Sequence, residues 1–262
     1  MVRERTSLVL SMIVAFCFAP LSMAQVNGHW KPFDPDRPPP PVIVAGTAST
    51  QDVPGHPPSD ALVLFDGKDL SQWVGKDGQP AKWKVTDGYF EVVPLSGDIL
   101  TRQAFGDCQL HLEFAEPVPA VGEGQHRGNS GMFLMGLYEI QVLDSYQAKT
   151  YPDGQAGALY GQYPPLVNAS RPPGQWQTYD IIFHRPHFDQ DGKLVTRGRV
   201  TVLHNGVLVQ DNVEVLGPTG STDPASYETG KSRPDKLPFR LQDHHNPVHF
   251  RNIWIRELAE GQ

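Results

Sequence analysis

The sequence predicts an all-β domain built as a two-sheet sandwich of the jelly-roll or lectin-like type. Glycine and proline occur 25 times each in 262 residues, and this composition indicates many turns. Short segments in which apolar and polar residues alternate are typical of strands with one buried face. About a dozen such segments, without any helix of convincing length, favour two packed sheets in one domain.

The first 24 residues have the pattern of a secretory signal peptide. Arg3 and Arg5 precede an apolar run over 8–21, and Ser-Met-Ala at 22–24 fits a cleavage site. The apolar run is too short for a membrane span. We therefore expect cleavage after Ala24, a periplasmic or secreted location, and no membrane span in the mature protein.

Residues 25–60 contain nine prolines and little apolar periodicity, so we interpret them as an extended linker that is dispensable for folding. The sandwich domain is predicted over 61–258, followed by a short tail at 259–262. Removal of the signal peptide leaves Cys108 as the only cysteine, which excludes an intramolecular disulfide. We expect Cys108 to be a small buried residue in the core.

The formal net charge is −7, which argues against nucleic acid as a partner. No dinucleotide fingerprint, phosphate-binding loop or HExxH pair is present, and no two histidines stand at a metal-ligand spacing. We therefore predict no cofactor and no metal. A divalent metal held by residues from distant segments stays an open alternative.

Within the domain, turn signals such as Asp66-Gly67 and Gly106-Asp107 separate predicted strands. The Asn205-Gly206 pair is the strongest hairpin signal in the chain. The long irregular stretch at 145–174 is expected to be functional or mobile. The predicted strands are Leu62–Phe65, Trp83–Val85, Tyr89–Val93, Asp98–Thr101, Cys108–Ala115, two strands within 130–144, Trp176–His184, Arg199–His204, Val207–Asp211, Phe239–His244 and His249–Glu257.

The hairpin SGMFLMGLYEIQVLD at 130–144 carries the most informative polar residues. A two-residue loop at Gly136-Leu137 would pair Met135 with Tyr138. Glu139 and Gln141 would then share a half-apolar face, with Asp144 at the strand end, and could form a sugar-binding floor. An ordinary solvated face is the alternative. The predicted core face contains Gly131, Phe133, Met135, Tyr138, Ile140 and Val142, and the opposite face contains Ser130, Met132, Leu134, Glu139, Gln141 and Leu143.

A second strand, FRLQDH at 239–244, also has a polar face. Alternation places Arg240, Gln242 and His244 together. His244 is a candidate base because imidazole titrates near neutral pH, although a histidine that caps a loop is the alternative.

An arginine also stands in the last predicted strand, on the side of Ile253 and Ile255. Arg251 there requires an acidic partner or an anionic ligand, and both interpretations stay open.

Eight segments stand in a recognisable order and cover nearly all of 61–258. They are LFDGKDLSQW at 64–73, WKVTDGYFEV at 83–92, GNSGMFL at 128–134, YEIQVLD at 138–144, GALYG at 157–161, GQWQTYDI at 174–181, HNG at 204–206 and LQDHHNPVHFRNIWIREL at 241–258. Together they resemble the 3-keto-disaccharide hydrolase family, also called the 3-keto-glucoside lyase/hydratase domain. One departure is Gln177, where the family more often has Asn.

The resemblance implies a concanavalin A-like sandwich and a small carbohydrate substrate that a separate sugar 3-dehydrogenase has oxidised at C3 of a glucosyl unit. A base would remove the C2 proton, β-elimination would expel the C1 aglycone, and hydration would follow. We expect Glu139 or His244 to be the base, in a pocket roofed by the loops 127–129 and 157–160. The candidate substrate-binding residues are Arg127, Asn129, Gln141, Asp144, Tyr160, Gln242 and Arg251.

Two alternatives belong to other functional classes. Retaining lectin-fold glucanases carry Glu-x-Asp-x-Glu, with the outer carboxylates about 5–5.5 Å apart. Here Gln141 and Asp144 replace the last two acids, which weakens a retaining mechanism on unmodified glucans. The second alternative is a non-catalytic carbohydrate-binding module, which would more often use exposed aromatic platforms than the polar face predicted here.

Overall fold

The computed structural model describes residues 31, 33–220, 226–227 and 234–259. The chain divides into two units, one formed by 1–40 with 261–262 and the other by 41–260. In the described part of the first unit, the backbone N–H of Arg37 donates a hydrogen bond to the carbonyl of Asp34. The predicted signal peptide lies outside the described residues, so cleavage and export stay predictions.

All regular structure of the described residues lies in the second unit. Two 3₁₀ turns, Gly124–His126 and Pro152–Gly154, are the only helical elements among these residues. None of these is long and apolar enough to cross a membrane. The strands are β1 (Leu62–Phe65), β2 (Trp73–Gly75), β3 (Lys84–Thr86), β4 (Tyr89–Glu91), β5 (Ile99–Phe105), β6 (Cys108–Ala115), β7 (Ser130–Leu134), β8 (Tyr138–Val142), β9 (Gln177–His184), β10 (His187–Phe188), β11 (Leu194–Thr196), β12 (Arg199–His204), β13 (Val207–Glu214), β14 (Leu237–Leu241) and β15 (His249–Glu257).

The strands form two antiparallel sheets that pack face to face, as predicted for a jelly-roll sandwich. The larger sheet has the order β13-β12-β9-β6-β15-β4-β3, and β1 also pairs with β15. The smaller sheet has the order β2-β5-β14-β7-β8, and β10 and β11 form a separate pair. The alternating pattern did not predict β2, β10 or β11, since strands of two or three residues are too short to show a period.

A single apolar core lies between the two sheets. The rings of Tyr138 in the smaller sheet and Phe183 in the larger sheet are 5.8 Å apart. The hydroxyl of Tyr179 donates a 2.7 Å hydrogen bond to the carbonyl of Gln141, which joins β9 to β8 inside the core. Cys108 is fully buried in this core, as predicted, and burial raises the pKa of its thiol.

The predicted register of the β7–β8 hairpin is wrong by one residue. Leu134 pairs with Tyr138, so the loop has three residues, 135–137. Positive φ angles occur at Met135 (52°) and Gly136 (66°). The turn therefore lies one residue earlier than the predicted turn at Gly136-Leu137. A shift of one residue moves every side chain of a strand to its other face.

The observed register changes which β7 residues share the outer face with Glu139 and Gln141. Gly131 and Phe133 lie opposite Gln141 and Glu139 on the outer face of the smaller sheet. Met132, which we expected on that outer face, lies in the core instead. The core side of the hairpin contains Ser130, Met132, Leu134, Tyr138, Ile140 and Val142, all fully buried.

The compact unit starts at Pro41, so it includes the last twenty residues of the segment that we interpreted as a linker. Residues 47–56 lie against the larger sheet. The amide of Gln51 and the backbone of Trp176 exchange two hydrogen bonds of 2.8 and 2.9 Å. The hydroxyl of Ser49 donates to the carboxylate of Glu113. These contacts give residues 41–60 a role in stabilising the sandwich.

Candidate functional site

Two strands of the smaller sheet bring the predicted catalytic carboxylate to the outer face. Glu139 on β8 lies opposite Phe133 on β7, and Arg240 on β14 pairs with Phe133 from the other side. Glu139 and Arg240 therefore flank one aromatic ring. The guanidinium of Arg240 lies 3.5 Å from the centre of the Phe133 ring, which supports it by a cation–π contact.

The carboxyl group of Glu139 is buried in the smaller sheet's outer face. Its side chain makes no hydrogen bond to any described residue, and the residue is only 5% exposed. The carboxyl lies over Gly131, where an added Cβ would be 2.4 Å from Oε1. Burial raises its pKa to about 8, although the nearby charge of Arg240 acts to lower it. The group is therefore a stronger base than an ordinary carboxylate.

A second carboxylate on this face stays ionised. Nη1 of Arg240 and Nζ of Lys76 lie 2.6 and 2.9 Å from Oδ2 of Asp98. The backbone N–H of Asp243 donates to the other oxygen. Burial acts to raise the pKa of Asp98, but these hydrogen bonds outweigh it and hold the pKa below its ordinary value. A cavity of about 190 Å³, lined by Lys76 and Asp98, opens beside the group.

Gln141 belongs to a cluster of amides beside Glu139. Its Nε2 donates a 2.9 Å hydrogen bond to Oε1 of Gln125. Gln125 in turn donates to Thr150 and to the carbonyl of Gly154. Nδ2 of Asn129 donates to the carbonyl of Gln125 at 2.7 Å. The structure thus brings the predicted residues Gln141 and Asn129 together through Gln125, which the sequence analysis did not single out.

The loop that contains Tyr160 runs along β8, the last strand of the smaller sheet, and is hydrogen-bonded to its outer edge. The backbone N–H groups of Tyr160 and Gly157 donate to the carbonyls of Glu139 and Gln141. The hydroxyls of Tyr160 and Tyr151 share a hydrogen bond. Burial, followed by this bond, raises the pKa of Tyr160 above its ordinary value. The predicted loop 157–160 is therefore next to the candidate base.

Arg127 and Asp144 bind each other. Nε of Arg127 donates a 2.6 Å hydrogen bond to Asp144, which is 1% exposed. The other oxygen of Asp144 accepts from the backbone N–H of Tyr146. The neighbouring Glu116 is fully buried, and burial and the charge of Asp144 raise its pKa well above the ordinary value. Arg127 and Asp144 therefore neutralise each other within the protein. Contact of either residue with substrate stays a prediction.

The segment with Gln242 and His244 is attached to the start of β7. The backbone N–H of Gln242 donates to the carbonyl of Gly131, and the side chain of Asn246 accepts from the backbone N–H of Asn129. His244 stands between these two attachments and is half-buried. Its ring makes no hydrogen bond to a described residue. The predicted convergence of His244 and Glu139 on one pocket stays a prediction.

Arg251 lies on the other sheet, and its predicted side is wrong. Alternation would place it with Ile253 and Ile255, but the register of β15 shifts between Arg251 and Trp254. Asn252 takes a φ of 45° at this bulge, so the extra residue turns Arg251 to the outer face while both isoleucines stay in the core.

The sequence left open whether Arg251 binds an acidic partner or an anionic ligand, and its contacts support the acidic partner. Its Nε lies 2.8 Å from Oε2 of the fully buried Glu113. Its Nη atoms donate to the carbonyls of Thr50 and Gln51. Arg251 therefore joins the N-terminal segment to the larger sheet, on the opposite side of the sandwich from Glu139.

Comparison with known proteins identifies the family. The 3-keto-alpha-glucoside-1,2-lyase-like domain matches residues 60–256. The chain belongs to this family. A putative glycosyl hydrolase from Parabacteroides distasonis ATCC 8503 is 44% identical, with a TM-score of 0.80 over 92% of this chain and all of the other. Two further structures described in the same words, from the same organism, are 21% and 24% identical, each with a TM-score of 0.53 over 76% of this chain and 94% and 99% of theirs. No curated protein matches.

Membership of the 3-keto-alpha-glucoside-1,2-lyase-like family supports a carbohydrate-active function. All residues of the candidate site lie within the matched stretch, whereas the segment at 41–59 lies outside it. Sequence reasoning missed the contribution of Asp98 and Lys76 because neither stands in a polar motif. No group of three or more His, Cys, Asp and Glu side chains in the described part of the chain could hold a metal ion.

Proposed function

We propose that this protein cleaves 3-keto-glucosides on the outer face of the smaller sheet, with Glu139 as the base. The observation that carries the proposal is the buried carboxyl of Glu139, which has no hydrogen-bond partner among the described residues and a pKa of about 8. A base is most effective when its pKa lies near the working pH, because it is then both available and basic. A carboxylate with an ordinary pKa near 4.5 would be much weaker.

The chemistry of a 3-keto sugar suits a single base. The C3 carbonyl acidifies the C2–H bond, and Glu139 takes that proton while the electron pair moves to the C3 oxygen. When the enolate collapses, the C3 carbonyl re-forms, a C1–C2 double bond appears, and the C1–oxygen bond breaks. The leaving aglycone takes up a proton. Addition of water across the double bond then gives free 3-keto-glucose.

Other residues of this face have the chemistry that the steps require. Arg240 lies over the Phe133 ring beside Glu139, and Lys76 lines the cavity next to Asp98; both are cations that would stabilise negative charge on the C3 oxygen. The buried side-chain carbonyl oxygens of Gln141 and Asn129 make no hydrogen bond to a described residue, so they would accept from sugar hydroxyls once substrate reaches this cluster. His244 is the candidate acid for the leaving group. Asp144 is ion-paired to Arg127, which disfavours a retaining pair of carboxylates.

A chemically prepared 3-keto-disaccharide and its unoxidised parent test the proposal. We expect cleavage of the oxidised sugar alone, and in heavy water we expect deuterium at C2 of the product. Glu139→Gln should reduce kcat by about 10²–10⁴-fold, the usual contribution of a positioned base. Glu214→Gln is the matched control, because Glu214 forms a surface ion pair with Arg199 on the larger sheet. Equal rates on both sugars would contradict the proposal.

A further inference from the structure

We propose that the outer face of the larger sheet carries a second site, which binds a neutral saccharide unit and lies on the opposite side of the sandwich from Glu139. A cavity of about 390 Å³ opens there, lined mainly by polar side chains around one indole. Its volume falls within the usual range for small-molecule sites, about 300–1,000 Å³. Nothing in the proposed reaction uses these residues.

One wall of this second site is the N-terminal segment 48–51. Gln51 and the backbone of Trp176 exchange two hydrogen bonds, and Arg251 donates to the carbonyls of Thr50 and Gln51. The guanidinium of Arg251 also lies 4.2 Å from the centre of the Trp176 ring and supports it from one side. The wall and the indole are therefore held in place without a ligand, which lowers the cost of ordering them on binding.

The floor is a fixed pair of ionised groups. Nδ1 of His111 lies 2.7 Å from Oδ1 of Asp180, and its ring stacks on Trp254 at a centroid distance of 5.0 Å. Burial acts to lower the pKa of His111, but hydrogen bonds with Asp180 and Glu113 raise it to about 9. The imidazolium therefore holds Asp180 in position. The side chain of Asp180 is 40% exposed and lines the cavity.

The free polar groups match a polyhydroxylated ligand. Oδ2 of Asp180, the hydroxyl of Thr178, the indole N–H of Trp176 and two nitrogens of Arg171 make no hydrogen bond to any described residue. Both acceptors and donors therefore line the cavity beside an indole, and sugar hydroxyls can satisfy both while the C–H face of the ring packs on the aromatic surface.

The charges around the cavity sum to one positive charge, because two ion pairs cancel and Arg171 remains. Arg171, Arg251 and His111 carry positive charge, and Asp180 and Glu113 carry negative charge. The exposed carboxylate of Asp180 would repel an anion, and the cations of both ion pairs are already neutralised, so a neutral hexose unit of an oligosaccharide fits better than a phosphate or a carboxylate.

Calorimetric titration of the full chain with maltoheptaose, cellohexaose and laminarihexaose, each as a separate probe, tests the second site. We expect at least one probe to bind saturably to the wild type and equally to Glu139→Gln. Thr178→Val and Asp180→Asn should each weaken that binding at least tenfold. Unchanged thermal midpoints would show that these variants are folded. Both substitutions should leave cleavage of a short 3-keto-disaccharide unchanged, which distinguishes this site from the catalytic face.

Two results would overturn the inference. One is the absence of saturable binding by all three probes. The other is binding that Glu139→Gln abolishes and that Thr178→Val and Asp180→Asn leave intact, because the saccharide would then occupy the outer face of the smaller sheet. The proposed cleavage activity could survive either result, since it is measured separately on the oxidised disaccharide.

Discussion

Replacement of Glu139 by glutamine should lower kcat and at the same time stabilise the protein above neutral pH. Burial raises the pKa of Glu139 from 4.5 to about 8 in the folded protein. Between these two pH values the folded state binds more protons than the unfolded state, so stability falls as the pH rises through this window. Glutamine does not ionise, and the variant should lack this loss.

The size of the effect follows from the shift. About 3.5 pKa units, at about 1.36 kcal/mol each, correspond to a loss of roughly 5 kcal/mol in the wild type by pH 8. The amide of glutamine would itself be buried without a hydrogen-bond partner among the described residues, which costs about 1–3 kcal/mol. We therefore expect the variant to be about 2–4 kcal/mol more stable than the wild type at pH 8. At pH 4.5 it should be equally stable or less stable.

Urea denaturation at pH 4.5 and pH 8 measures both quantities. The difference in the free energy of unfolding between Glu139→Gln and the wild type should grow with pH, while Glu214→Gln should follow the wild type at both pH values. A difference that is the same at pH 4.5 and pH 8 would refute the reasoning, because it would mean that Glu139 ionises normally in the folded protein.

Other predictions concern both faces of the sandwich. Arg251→Ala should cost about 3–5 kcal/mol in urea denaturation, because it takes the nearest cation from the fully buried carboxylate of Glu113 and removes the hydrogen bonds to Thr50 and Gln51. Arg256→Ala should cost about 1 kcal/mol or less, because the ion pair of Arg256 with Asp60 is partly exposed. Gly131→Ala should lower kcat without unfolding the protein, since the new Cβ would displace the carboxyl of the base; wild-type kcat would refute this. Removal of 41–60 should lower the thermal midpoint, and an unchanged midpoint would support a dispensable linker. The kcat/KM for the oxidised sugar should rise with pH through about 8, and a profile flat above pH 5 would exclude the buried base.

Four strands have the bounds that the sequence predicted, among them the short strands Leu62–Phe65 and Arg199–His204. Cys108–Ala115 and His249–Glu257 are the other two. The Asn205-Gly206 hairpin also forms as predicted, with positive φ at both residues (52° and 78°). In these segments the local period and the turn chemistry point to the same structure, so tertiary contacts had nothing to override.

The β7–β8 hairpin shows where local signals are ambiguous. Met135-Gly136 and Gly136-Leu137 both contain glycine, and either could form the turn. The choice decides whether Phe133 or Met132 enters the core. Packing against the larger sheet selects Met132, and Phe133 then supports Arg240 on the outer face.

The sequence alone determined the fold class, the position of most strands, and the placement of Glu139 and Gln141 on one face of β8, because alternation and turn chemistry act over a few residues. Only the tertiary structure decided the partners of these groups. Arg240 and Asp98 meet beside Glu139 from strands far apart in the chain, and Arg251 turns away to bind Glu113 because of a bulge. Such contacts depend on which strands become neighbours and on their register, and neither is encoded within a single segment.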